Sequence, residues 1–174
     1  MRKAPDTILA LDPGLRELGY AVLSGKELLT SGVLPLRSIA PSRRLEKVRA
    51  SLEVWTRAYG PRTVVVERIP MRPLDSLAGL PALGRLVRRF AHRRRLKLVD
   101  YSVKAVRRTV VGDGWAGKAE AAKAVARKFS ELRIYLTQDR KGKVRYWQNM
   151  YDAVALALHH QRMTKPPSRS RFSD

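Results

Sequence analysis

Three carboxylates stand in apolar surroundings within a chain that is otherwise dominated by basic residues. Asp12 closes the apolar run 8–11 and precedes Pro13-Gly14. Glu67 closes the β-branched stretch Thr63-Val64-Val65-Val66. Asp152 lies inside the Ala/Leu-rich run 151–158. An acid at the C-terminal end of a central strand faces the crevice in which α/β proteins bind ligands. Strands of this kind can be sheet neighbours, and a helix packed across their ends would bring Asp152 beside Asp12 and Glu67. Asn149 precedes Asp152 by about one helical turn and shares its face. Clustered carboxylates repel one another and are costly to desolvate, so they need a compensating cation. Oxygen donors without cysteine or a histidine pair favour Mg²⁺ or Mn²⁺ over zinc. A pair of such ions beside a polyanion suggests phosphodiester hydrolysis, one activating water and the other stabilising the leaving oxygen. Each acid alone also has an ordinary account: Asp12 as a turn initiator, Glu67 paired with an arginine, Asp152 as a buried salt-bridged acid. The three together, in this order, favour the chemical reading.

The partner class follows from charge. Lys and Arg total 36 against 15 Asp and Glu, a formal net charge of +21 in 174 residues. Such an excess attracts polyanions, nucleic acid before an anionic membrane surface. With no cysteine, disulfides, thiolate zinc sites and thiol catalysis are excluded. No signal peptide or membrane span is visible, and a cytoplasmic protein is expected. The hydrophobic fraction of 44% is enough for one compact domain, read as residues 1–163 with a basic disordered tail over 164–174.

The basic residues cluster. Arg85, Arg88, Arg89, Arg93, Arg94, Arg95 and Lys97 run without an intervening acid, with Arg88 and Arg89 read at a helix end. Phosphate tracking is the functional reading, a solvated helix end the ordinary one. Lys104, Arg107, Arg108, Lys118 and Lys123 form a second cluster around Gly112 and Gly114, whose backbone could approach a phosphate closely. Trp115, between those glycines and Lys118, reads as stacking on a base, with packing as a lid the alternative. His92, His159 and His160 form no convincing ligand pair, and His160 reads as structural.

The elements that must position these groups can be read from periodicity. Residues 7–11, 19–23 and 26–34 are short apolar runs separated by turns, suggesting an antiparallel meander. Leu45, Val48, Leu52, Trp55 and Tyr59 make one helical stripe, ended by Gly60-Pro61. Residues 63–67 read as a central strand, 75–94 as a helix in which Pro81 marks a kink or a start, and 96–99 as a strand. Helices follow at 103–111, 117–129 and 147–162. The order β-β-β-α-β-α-β-α-α-α implies a mixed sheet with helices on both faces.

At this point the motifs resemble a known family. ILALDPGLRELGYAVL is similar to the opening of RuvC-type Holliday-junction resolvases. VVVERIP resembles their second strand motif, VKAVRRTVVGDGWAGKAEAAKAV their Val-Gly-x-Gly block with a downstream Lys, and YDAVALALHH their closing helix. The four blocks occur in family order from Ile8 to about His160. The resemblance implies a ribonuclease H-like fold with a mixed five-stranded sheet flanked by helices. It implies that Asp12, Glu67 and Asp152 are catalytic metal ligands, joined by Asn149 where the family usually has Asp. Asparagine keeps a carbonyl donor but loses the charge, which bears on metal affinity and on the choice between Mg²⁺ and Mn²⁺. Lys118 would approach the scissile phosphate, and Arg107 matches a DNA-contacting position.

The family resemblance further implies a homodimer nicking opposite strands of a four-way junction, leaving 5′-phosphate and 3′-hydroxyl ends, alongside a branch-migration motor. The aromatic residue often found after the catalytic Glu is replaced by Ile69-Pro70, which leaves the Arg72-Pro73-Leu74 loop to contact DNA differently. The divergence would suit a phage-borne copy as well as a bacterial one. The alternatives are an RNA-processing nuclease of the same fold and an inactive nucleic-acid-binding module, the second motivated by Asn149. The Glu67 strand end and the Gly-x-Gly…Lys block favour the resolvase. An actin-like ATPase would need a longer chain.

Overall fold

The structure, a computed structural model, describes residues 6–68, 79–137 and 144–165. Its sheet has five strands in the order β3-β2-β1-β4-β5. The strands are β1 (Thr7–Asp12), β2 (Glu17–Ser24), β3 (Glu27–Pro35), β4 (Thr63–Glu67) and β5 (Lys97–Tyr101). β1, β2 and β3 form the expected antiparallel meander, while β4 and β5 join β1 in parallel. β1 and β4 are neighbours, so the strands that end in Asp12 and Glu67 lie side by side.

Alternation along these strands sorts the core into two layers. Ile8, Ala10 and Val65 face one cluster; Leu9, Leu11 and Val64 face the other. The second cluster is covered by α1 (Pro41–Tyr59) and α2 (Gly79–Arg93). The first is covered by α3 (Val103–Val111), α4 (Lys118–Lys128) and the last helix, α6 (Val144–Thr164). α6 is the long central support. Met150, Tyr151 and every residue from Ala153 to His160 are buried along it, because it packs on β1, β2, β3 and β4. A helix buried on nearly all sides must be apolar all round, which is the Ala/Leu pattern read above.

Local signals explain most boundaries. α1 carries Pro41 in its first turn and ends at Gly60, whose φ of 57° is left-handed. α3 begins at Ser102, whose hydroxyl accepts from the Ala105 N–H, and ends at left-handed Gly112. Pro81 falls in the first described turn of α2. α2 runs on to Arg93, so Arg88 and Arg89 sit inside it and His92 and Arg93 occupy its last turn. Residues 75–78 of the expected helix, the loop containing Ile69, Pro70 and Arg72, and the basic turn 138–143 lie outside the described residues. So do residues 166–174 of the expected tail, while Thr164 still belongs to α6. Two short elements escaped periodicity, a 3₁₀ turn (Ser130–Leu132) and α5 (Ile134–Thr137). Each is too short for a helical repeat to register.

Candidate active site

Strand alternation decides where the acids point. Asp12 is in phase with Ile8 and Ala10, and Glu67 with Val65, so both project to the α6 face. The β1/β4 register pairs Leu11 with Val66, and its continuation sets Asp12 beside Glu67. α6 supplies Asp152 on the same side. It comes this close because β2 carries Gly19 beneath it. A Cβ there would meet the Asn149 carbonyl oxygen at 1.9 Å and its carbon at 2.2 Å, so any side chain would force the helix off the sheet. Gly19 pairs with Asp12 across the strands, which makes the closest approach of α6 coincide with the acid.

The electrostatics record the convergence. Burial raises the Asp12 carboxyl well above its ordinary value, and Glu67 and Asp152 raise it further, while Lys118 opposes them. Glu67 is raised by burial and by Asp152, against Lys118 and Arg107. Asp152 is raised by burial, against Lys118, the Gln148 hydrogen bond and Arg107. The acids therefore feel one another and the same cations. Lys118 Nζ lies 4.0 Å from Asp152 Oδ2. Glu67, Arg107 and Asp152 share the wall of one narrow cleft between α3, α4 and α6.

The sequence reading missed two polar ties. Gln148 Nε2 donates to Asp152 Oδ1 at 3.0 Å; its signal was the i, i+4 spacing on one helix. Asn149 Nδ2 donates to the Glu17 carbonyl at 3.0 Å, pinning α6 to the start of β2. The amide does what an ionised Asp cannot, since a carboxylate has no proton to offer a carbonyl.

Among the described residues, no group of three or more His, Cys, Asp or Glu side chains is gathered closely enough to hold a metal ion as it stands. The donor set still has the character of a divalent-cation site: hard oxygens whose ionised forms are destabilised by burial and by one another. Lys118 opposes the shift of all three acids and Arg107 that of Glu67 and Asp152, without overcoming burial.

The segment from α3 to α4 brings Arg107 and Lys118 to the acids, while Lys104, Arg108 and Trp115 gather around the turn between the two helices. Lys104 Nζ sits 3.5 Å above the Trp115 ring. The expected contacts Arg88 and Arg89 belong to α2, on the sheet face away from α6, where they line a groove with His92, Arg93, Leu96 and Leu98. They are not brought to the acids. His159 and His160 bond through Nδ1 to the hydroxyls of Thr109 and Tyr101 at 2.7 and 2.8 Å. Both are buried, and burial holds both below the usual imidazole value. The charged neighbours of His160 are Lys97 and Asp6, at the opposite strand ends from the acids, in keeping with a structural histidine.

Known proteins resemble the chain in sequence and fold. RuvC from Streptomyces avermitilis is 28% identical over 172 residues, covering 95% of this chain and 91% of the relative. RuvC from Akkermansia muciniphila is 31% identical over 159 residues, covering 88% and 89%. Thermus thermophilus RuvC, solved in complex with a Holliday junction substrate, superposes with a TM-score of 0.70 at 22% identity, covering 91% of this chain and 96% of that one. The fold is the expected ribonuclease H-like one. The sequence profile of crossover junction endodeoxyribonuclease RuvC matches residues 8–160, and the chain belongs to the RuvC family.

Proposed function

We propose that this protein is a metal-dependent endonuclease that resolves four-way DNA junctions. The observation that carries the reading is the convergence of Asp12, Glu67 and Asp152, against Lys118 and Arg107, in a chain of the RuvC family. Asp12, Glu67 and Asp152 would hold the ions, Asn149 adding its carbonyl oxygen. Bound there, Mg²⁺ or Mn²⁺ would activate water and stabilise the leaving oxygen, giving 5′-phosphate and 3′-hydroxyl products.

The chain's own groups have separable tasks. Lys118, 63% exposed and already against Asp152, is free to swing its ammonium onto the scissile phosphate. Arg107, partly buried in the cleft wall, neutralises Glu67 and Asp152 before substrate arrives. Gln148 fixes the Asp152 carboxylate rotamer. Lys104, Arg108, Arg72, Arg88 and Arg89 contact the phosphates of the junction arms. Residues 1–163 act as one nuclease domain and 164–174 as a basic tail. The enzyme works in the cytoplasm as a homodimer that makes paired nicks, served by a branch-migration motor. Among the described residues no helix is long and apolar enough to cross a membrane.

The test is cleavage of a labelled four-way junction, a matched duplex and an RNA in Mg²⁺, Mn²⁺ or EDTA, with Asp12→Asn as control. Symmetric, metal-dependent nicks in the junction alone, absent from the variant, are expected. Cleavage of RNA would overturn the substrate assignment. Light scattering is expected to give a dimer, and a monomer at micromolar concentration would remove paired nicking. The second reading, a binding module without turnover, is motivated by the Asn149 amide held against Glu17. Junction binding without cutting in either metal would establish it.

A further inference from the structure

Trp115 is 75% exposed, the most exposed of the large hydrophobic side chains among the described residues. Its neighbours hold it there. Gly112 caps α3 with a left-handed φ of 97° and turns the chain. Gly114 is buried so closely that a Cβ would meet the Lys104 carbonyl at 3.0 Å, which presses the turn onto α3. The Trp115 N–H is held by Asp113 Oδ1 at 2.9 Å. Ala116, the next residue, is 4% exposed and anchors the far side. Gly117 N–H then donates to Glu120 Oε2 at 2.6 Å and starts α4. A turn fixed at every residue around the indole, yet leaving the indole in solvent, forgoes the burial of a large aromatic surface.

Lys104 Nζ stands 3.5 Å from the Trp115 ring centroid, a cation–π contact that holds the ring plane. With 75% of its surface in solvent, the indole remains accessible to a planar ligand. Lys104 over the ring, Arg108 against Gly114 and Lys118 three residues on favour a ligand attached to phosphates. Trp115 is also tied to the chemistry by chain length. Lys118 follows in the same turn, its ammonium 4.0 Å from Asp152, and the intervening backbone spans at most about 11 Å. A stacked strand rises about 3.4 Å per nucleotide. A base on Trp115 would lie within a few nucleotides of a phosphate at Lys118.

We propose that the exposed ring of Trp115 is a stacking site for a single unpaired nucleobase at the junction branch, positioned by Lys104 and coupled through the α3–α4 turn to the phosphate held by Lys118. The site makes this enzyme select branches by an element that follows β5, apart from the Ile69-Pro70 segment after Glu67. It rests on the nuclease reading for its substrate, but its test reads binding. Junction affinity is measured in EDTA for the parent, Trp115→Ala and Trp115→Phe, with an abasic nucleotide moved through each position around the branch. Trp115→Ala is expected to weaken binding of the intact junction on the order of tenfold, the scale of one base–aromatic stack. Trp115→Phe should recover most of that loss. At one abasic position the parent should lose the same affinity and the Trp115→Ala variant should lose nothing more. Arg108→Gln, as a phosphate contact, should weaken binding by the same factor at every position. Additive effects of Trp115→Ala and abasic substitution at all positions would overturn the stacking site. Cleavage by the parent in Mg²⁺ or Mn²⁺ is scored separately. Cutting without coupling removes the stacking site alone; coupling without cutting removes the nuclease reading and leaves the base site standing.

Discussion

Asp12 holds a charge that its surroundings resist. Its raised pKa means that the folded protein prefers the neutral acid, burial being the main cause and Glu67 and Asp152 the next. For a group raised on folding, the associated stability is fully present below the unfolded-state value and is lost as pH climbs through the folded-state value. At alkaline pH the metal-free protein therefore carries a penalty that asparagine does not. Asp12→Asn is expected to stabilise the protein in EDTA by roughly 1–3 kcal/mol, the scale on which neutral replacements relieve buried ionic groups. The gain should shrink toward zero as pH falls into the carboxylate range. Thermal melts across pH measure it, and equal melting of parent and variant at alkaline pH would refute it. Mg²⁺ should raise the parent's melting temperature more than the variant's, since a ligand stabilises only the state that binds it. Asn149 poses the converse case. Asn149→Asp gives up the hydrogen bond to the Glu17 carbonyl and sets a carboxylate against it. A loss of about 1–3 kcal/mol in urea denaturation without metal is expected, with partial recovery in saturating Mn²⁺. Unchanged stability would show that the amide tie is immaterial.

At the scale of elements, the site depends on how closely α6 lies on the sheet. Gly19 sets that distance, because its hydrogen leaves room for the Asn149 backbone. Gly19→Ala must move either β2 or the helix. The backbone is the obstacle, so no side-chain rotation relieves it, and a cost at or above about 1–3 kcal/mol follows. Asp152 rides on the displaced helix, so junction cleavage should fall by more than the loss of folded protein explains. Activity normalised to the folded fraction, read by circular dichroism, tests this; a variant as active per folded molecule as the parent would show that the approach does not position Asp152. Gly19 was part of a recognised motif in the sequence, yet its physical role was not legible there. A glycine in a strand marks a close approach, but not which segment approaches.

On the scale of the whole molecule, the basic excess is split between two faces. Arg107 and Lys118 lie against the acids, whereas Arg88, Arg89 and Arg93 line a groove on the α1/α2 side. If the α2 arginines hold an outer duplex arm, they contribute affinity and not chemistry. Arg88→Gln with Arg89→Gln should lower the slope of log K against log salt by about one per arginine. The single-turnover cleavage rate at saturating protein should stay unchanged. A salt slope equal to the parent's would remove those arginines from the DNA path, and a slower chemical step would place them closer to the acids than their face allows.

Asp12, Glu67 and Asp152 were legible in the sequence because a carboxylate embedded in apolar strand or helix pattern is costly unless it has work to do. The strands and the cores of the helices were legible for the same reason, since burial imposes periods of two and of 3.6 on apolar residues. Pairing was not: that β1 lies between β2 and β4, and that Asp12 and Glu67 fall in phase on one face, depends on register across segments far apart in the chain. The split of the α2 arginines from the site was equally invisible, because charge clustering along a sequence says nothing about which face of a sheet will carry it. Composition thus pointed to a polyanionic partner, and apolar context singled out the three acids. The tertiary structure alone decided that those acids meet, that Asn149 spends its amide on Glu17, and that Trp115 stays exposed with Lys104 over its ring, because each depends on contacts that form only when separate segments pack.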